Sequence, residues 1–197
     1  KLAGCIRQIF IAAAFGVGLT YDAFNYAYII PGFLLIIIGG INGPLHNAVV
    51  AVLTPLNKKY GGIVLTQVSI KLSILLIGLA ILIYFNSSLL IELLAPNLSY
   101  EAKSIATYQL KILAPCIPLS GFIGLSFGAL NSRRKFFLSS ISPAITSITI
   151  IVFISFSWIF NQENTSTNFL THAGLLAFAT LTGTFIQFVV QIWEINK

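Results

Sequence analysis

Six apolar runs, at about residues 2–19, 23–56, 62–85, 104–130, 137–160 and 171–193, occupy most of this 197-residue chain. Crossing ~30 Å of hydrocarbon takes ~20 helical residues, and each run approaches or exceeds that length. In lipid every backbone N–H and C=O has to find its partner within the protein, and these runs lack the short alternation of a barrel strand. The expected fold is therefore all-α, a polytopic membrane bundle of six transmembrane helices over residues 1–197. With 57% hydrophobic and 8% charged residues and a mean hydropathy of +0.93, the chain has too little polar surface to clothe a soluble globule.

The gaps between the runs alternate in sign. Residues 57–61, 131–135 and 194–197 hold Lys58, Lys59, Arg133, Arg134, Lys135 and Lys197, whereas the other gaps hold Asp22, Glu92, Glu101, Glu163 and only Lys103. By the positive-inside rule the amino end, the basic gaps and the carboxyl end are cytoplasmic. The net charge of +6 forms no basic stripe with interleaved aromatics, so a nucleic-acid partner is not expected. Cys5 and Cys116 lie in apolar runs without C-x-x-C spacing or a neighbouring His, so they read as small buried residues, with neither a disulfide nor a metal expected. The sequence has no Met and opens on Lys1, which reads as a piece of a longer chain whose first helix is trimmed. Arg7 and Gln8 come too early in that helix for a signal peptide.

Two runs carry irregularities. Residues 23–56 would make a helix ~50 Å long, more than a bilayer needs, so this span has to tilt, bend or break. Gly39, Gly40, Gly43 and Pro44 supply the means, because Gly relaxes backbone limits and Pro removes a donor and clashes one turn back. The break is either a hinge lining a cavity or a bend made for packing. In the fourth run Pro115 and Pro118 predict a bend, and Gly121, Gly124 and Gly128 predict close helix contact. Residues 86–103 suit a short amphipathic helix on the outer surface, with Leu89, Leu90, Ile91, Leu93 and Leu94 ahead of Pro96.

A charge near the bilayer centre costs a few kcal/mol or more, which makes each intramembrane ion a functional candidate. Lys71 lies ~13 Å into its span, close to the midplane. Lys111 lies ~10 Å below the outer edge, where its stem could snorkel outward. Arg7 sits at mid-depth in the first helix. Asp22, at the outer end of the second, could pair with Arg7 or Lys111 or simply cap its helix. Three cations against one acid bias the interior positive, which suits an anionic headgroup such as a phosphate or pyrophosphate. The chain lacks paired carboxylates, H-E-x-x-H and a phosphate-binding Gly-rich loop, so a transporter is expected rather than an enzyme, with no cofactor. His46 could line a cavity or be structural, and His172 opens the last span near the interface.

The run Phe15-Gly16-Val17-Gly18-Leu19-Thr20-Tyr21-Asp22-Ala23-Phe24 with Pro31, then Leu110-Lys111-Ile112-Leu113-Ala114-Pro115, Gly128-Ala129-Leu130-Asn131-Ser132, Phe136 or Phe137, and Pro143, resembles the MurJ/MviN family of lipid II flippases. The resemblance implies one lobe, the N-terminal one, of a fold like that of the multidrug and oligosaccharidyl-lipid exporters, with a V-shaped cavity closed by a second lobe beyond this chain. It implies movement of an undecaprenyl-pyrophosphate-linked peptidoglycan precursor across the bacterial inner membrane by alternating access. Arg7 is similar to a cavity Arg that the family uses for the anionic headgroup, and Asp22 to the acid of the family pattern. Leu34, Leu35 and Ile36 stand where the family commonly has an Arg pair, and residues 39–44 replace an acidic segment. Lys71 has no usual counterpart there and could compensate for the missing charge. A polysaccharide or multidrug exporter of the same superfamily and a non-transporting membrane scaffold are the competing functions.

Overall fold

A computed structural model describes residues 2–16, 18–40, 43–160 and 169–196, the side chains of 160, 169–173 and 196 excepted. Lys1, Glu163 and Lys197, and the side chain of His172, lie outside the described residues. The chain forms α1 (Leu2–Phe15), α2 (Leu19–Ile37), α3 (Pro44–Leu53), α4 (Lys58–Phe85), α5 (Ser87–Leu94), α6 (Tyr100–Leu113), α7 (Cys116–Ser132), α8 (Phe136–Phe160) and α9 (Phe169–Asn196), with no strand among the described residues. By length and hydropathy α4, Phe136–Ile159 and Gly174–Ile195 could each cross a membrane; α6 and α7 together make a fourth such span, bent by 43°. α1 and α3 are shorter apolar helices.

Helix ends follow local chemistry. Gly16 takes φ +58°, a left-handed conformation that closes α1 at Phe15, short of the expected residue 19. Gly18 is extended and caps α2, so the expected outer gap at 19–22 is already helical. Asp22 therefore lies inside the first turn of α2 and does not cap it, a place where its charge still favours the helix dipole. Asn57 caps α4 by accepting from the Tyr60 N–H at 3.0 Å.

The long second run is two helices rather than one kinked helix. Pro44 is the first residue of α3, behind Gly43 as its N-cap, and at that position the missing N–H costs nothing. Between them the chain closes on itself tightly: a Cβ on Gly39 would lie 2.8 Å from the Ser120 carbonyl oxygen, and one on Gly43 would lie 2.6 Å from that of Ile37. The break thus needs glycine because backbone carbonyls occupy the space of a side chain.

α7 is the centre of the bundle. Twelve of its residues, from Cys116 to Leu130, are buried, and it packs against α2, α3, α4, α8 and α9. Its glycines are contact points: a Cβ on Gly128 would come within 2.5 Å of Val49, and one on Gly124 would strike the Ile38 carbonyl. The bend before it falls at Ala114 and Pro115, while Pro118 sits in the first turn of α7, where a proline is tolerated.

α8 and α9 pair along their lengths through polar rungs. Thr146 Oγ1 donates to Gln187 Oε1 at 2.9 Å, and Gln191 Nε2 donates to Ser142 Oγ at 2.9 Å. One end of this pair meets the basic turn after α7: Arg133 Nη1 donates to the Ile195 carbonyl at 2.8 Å, and Lys135 forms a 3.0 Å ion pair with Glu194. The basic residues of the turn thus sit at the C-terminal end of α9, whose dipole they complement. At the same end, Ser139 Oγ donates to Asn131 Oδ1 at 2.7 Å, and Asn131 Nδ2 lies 2.8 Å from His46 Nε2, joining α8, α7 and α3. His46 is buried inside this network, in contact with Asn131.

Candidate headgroup-binding site

α1 is held to the bundle along one stripe, Gly4, Arg7, Ile11 and Phe15, at the i, i+3, i+4 spacing of a helix face. Its main neighbour is α8, and the rest of its surface is open. Cys5 falls on that open surface, so it is exposed, whereas Cys116 is buried in α7. Arg7 is half-buried, and its Nε is buried with no hydrogen-bond partner among the described residues. Leaving such a donor unmet costs ~1–3 kcal/mol, more for a charged group, so the site favours an acceptor brought from outside.

Tyr28 stands within electrostatic reach of Arg7. Its ring is fixed from both sides along α2: it stacks on Phe24 at 5.5 Å, and Gly32 leaves it room, since a Cβ there would lie 2.6 Å from the ring. Two turns earlier the Tyr21 hydroxyl donates to Gln8 Oε1 at 3.4 Å, tying α2 to α1. Neither Tyr28 nor Gln8 is among the four sequence candidates for the site. The Phe24, Tyr28, Gly32 series at four-residue intervals is the signal that could have found Tyr28, because such residues share one face.

The four sequence candidates are dispersed. Asp22 is exposed at the start of α2 and makes no ion pair with Arg7 or Lys111 among the described residues. Lys71, midway along α4, is exposed on the side away from Leu76, Ala80 and Ile83, the buried positions of that helix. Lys111 is exposed on α6, with its ammonium 5.8 Å from the centre of the Tyr84 ring. Arg7 has Tyr28 within electrostatic reach, Asp22 is exposed in the first turn of α2, and the two lysines lie on α4 and α6. No group of His, Cys, Asp or Glu suited to a metal occurs among the described residues.

The family profile described as Lipid II flippase MurJ matches residues 11–197. The chain belongs to the MurJ family. A probable lipid II flippase MurJ from Synechocystis sp. is 42% identical over 194 residues, which cover 98% of this chain and 36% of that protein. The lipid II flippase MurJ of Thermosipho africanus is 31% identical over 152 residues, covering 77% of this chain and 32% of its own length. A solved MurJ structure, described as a lipid II flippase in an inward closed conformation, superposes with a TM-score of 0.80 at 26% identity, over 98% of this chain and 39% of that one. The chain spans about a third of the length of these relatives. The resemblance read from the Phe15 to Pro31 and Leu110 to Pro143 motifs, and the all-helical membrane fold it implied, are borne out.

Proposed function

We propose that these residues form the N-terminal lobe of a transporter that moves lipid II, an undecaprenyl-pyrophosphate-linked peptidoglycan precursor, across the bacterial inner membrane by alternating access. The observation that carries the proposal is the match of nearly the whole chain, in sequence and in fold, to lipid II flippases. The lobe has six spans: α1, α2 with α3, α4, α6 with α7, α8 and α9. The termini and the basic turns at Lys58 and Arg133 face the cytoplasm, in keeping with the positive-inside rule.

In this reading the open faces of α1 and α2 border the cavity shared with a second lobe. Arg7 supplies its unmet Nε–H to a phosphate oxygen of the headgroup, a charge-assisted contact stronger than a neutral hydrogen bond. Asp22, at the outer end of α2, offers a carboxylate to hydroxyl or amide groups of the same headgroup. The turn at 39–44 lets α2 and α3 change their mutual angle as the cavity opens and closes. The protein works as a transporter without a cofactor, its partners being the anionic lipid-linked oligosaccharide, the surrounding lipid and the second lobe.

Depletion in the native host tests the proposal. A flippase leaves lipid II stranded in the cytoplasmic leaflet and the cells lyse. A scaffold leaves precursor distribution unchanged, and an exporter of drugs or of another polysaccharide leaves the wall intact; either outcome overturns the reading.

A further inference from the structure

A cleft of about 500 Å³ opens between α5 and α6. Helical spacing builds it: Lys103, Ser104, Thr107, Tyr108 and Lys111 recur along one face of α6, while Ala102, Ile105, Ala106 and Leu110 bury the other. Ser88 and Glu92 of α5 complete the opposite wall. α4 runs from the Lys58 turn to Phe85, next to α5, and α7 leads from α6 back to the Arg133 turn. The cleft therefore lies at the end of the bundle away from both basic turns.

Its chemistry is selective. Lys103 is half-buried and steadied by donating to the Pro96 carbonyl at 2.9 Å, and Lys111 is placed by the Tyr84 ring. The two lysines are ~12 Å apart along the helix, too far to share one phosphate and well placed for an extended headgroup. Tyr108 is anchored against Gly174 of α9, where a Cβ would come within 3.1 Å of the ring. A phenol fixed in this way offers an apolar face to a sugar ring and a hydroxyl at its edge. Glu92 is acceptor-only when ionised, so it suits the hydroxyls of a sugar and disfavours a bare anion.

We propose that this cleft binds a saccharide headgroup carrying a phosphate or pyrophosphate, with Lys103 and Lys111 meeting the charge and Tyr108 and Glu92 the sugar. On the flippase reading, from which the lipid-linked source of that headgroup is taken, it is a receiving station on the delivery side, separate from the Arg7 site.

The test places a photo-crosslinker in the cleft, Thr107→benzoylphenylalanine, in the protein expressed with its complete reading frame and reconstituted in nanodiscs. Three probes are offered: a polyprenyl-pyrophosphate disaccharide, a soluble nucleotide-diphosphate sugar, and phosphatidylglycerol. The lipid-linked sugar is expected to label the site, and Lys111→Gln to lower the yield about tenfold, with Lys111→Arg restoring it. Labelling by the soluble sugar instead upholds the site and assigns it a free ligand. Equal labelling by phosphatidylglycerol, or a yield indifferent to both Lys103→Gln and Lys111→Gln, overturns the proposal, because either would mean lysines that merely snorkel. Both positions face the open cleft, and a circular-dichroism spectrum verifies that the variants fold. A protein that labels but does not translocate lipid II would sink the flippase reading and leave the cleft standing; one that translocates without labelling would do the reverse.

Discussion

Lys135, in the turn after α7, reaches across to Glu194 near the end of α9 and binds it twice, at 3.0 Å through the carboxylate and at 2.9 Å through the backbone carbonyl. Residues far apart in sequence are thereby joined at the end of the bundle that carries the basic turn. The two contacts contribute differently. Their side chains are 33% and 25% exposed, so the ion pair contributes at most ~1 kcal/mol, whereas the carbonyl contact also satisfies the end of a helix. Glu194→Gln is expected to lower stability by under ~0.5 kcal/mol, and Lys135→Ala by about 1 kcal/mol. Thermal unfolding in a mild detergent at low and high salt separates them, since only the ion-pair part fades with salt.

Gly124 and Gly128 are predicted to be the least replaceable glycines of α7. Gly124→Ala drives a methyl into the Ile38 carbonyl, and Gly128→Ala drives one into Val49. Each should cost about 1–3 kcal/mol, the range of overpacking. Gly78→Ala is the control, since nothing lies within 4 Å of its position, and it should be neutral or stabilise by up to ~1 kcal/mol. Equal shifts in melting temperature for Gly78→Ala and Gly124→Ala would refute this account of the contact.

Asn131 is predicted to matter more than its partners. Its amide serves His46 on one side and Ser139 on the other, while Ser139 keeps a second contact to the Phe136 carbonyl at 2.9 Å. Asn131→Ala should cost about 1–3 kcal/mol because two buried side chains, His46 and Ser139, each lose a hydrogen bond at once, and Ser139→Ala about 1 kcal/mol. Urea unfolding followed by tryptophan fluorescence measures both.

Arg7 is predicted to be needed for translocation. Arg7→Ala should lower lipid II transport in reconstituted vesicles by at least ~tenfold, and Arg7→Lys should rescue only part, because an ammonium lacks the guanidinium fork. Lys71→Ala should bring a smaller loss. A loss as large as that of Arg7→Ala would support compensation by Lys71 for the missing Arg pair after Pro31.

The helical character of every apolar run was legible because backbone in lipid has few alternatives. The breaks were legible too, at Gly39 to Pro44 and at Pro115, since Gly and Pro act locally. Their detailed form was not: whether Pro44 kinks a helix or starts a new one depends on the path of the chain before it, which the close approach of Gly39 to the Ser120 carbonyl helps to decide. Arg7 and Lys71 looked equivalent as charges within apolar runs, yet one is on a packed stripe and the other on an open face. Depth follows from counting residues, whereas direction depends on which neighbours the helix meets. Cys5 was misjudged as buried for the same reason, because α1 is covered along one side only. Tyr28 is not legible in the sequence because an aromatic in an apolar helix carries no mark of its own until the charge of Arg7 is found within electrostatic reach.

α4 buries Leu76, Ala80 and Ile83 and leaves most of its 28 residues bare. A helix leaning on its neighbours by one edge leaves most of its surface to whatever surrounds this part of the protein. Wherever acyl chains meet that open face they complete its tertiary structure, so bilayer thickness and detergent choice should govern how this segment stands even when every residue of the chain is unchanged.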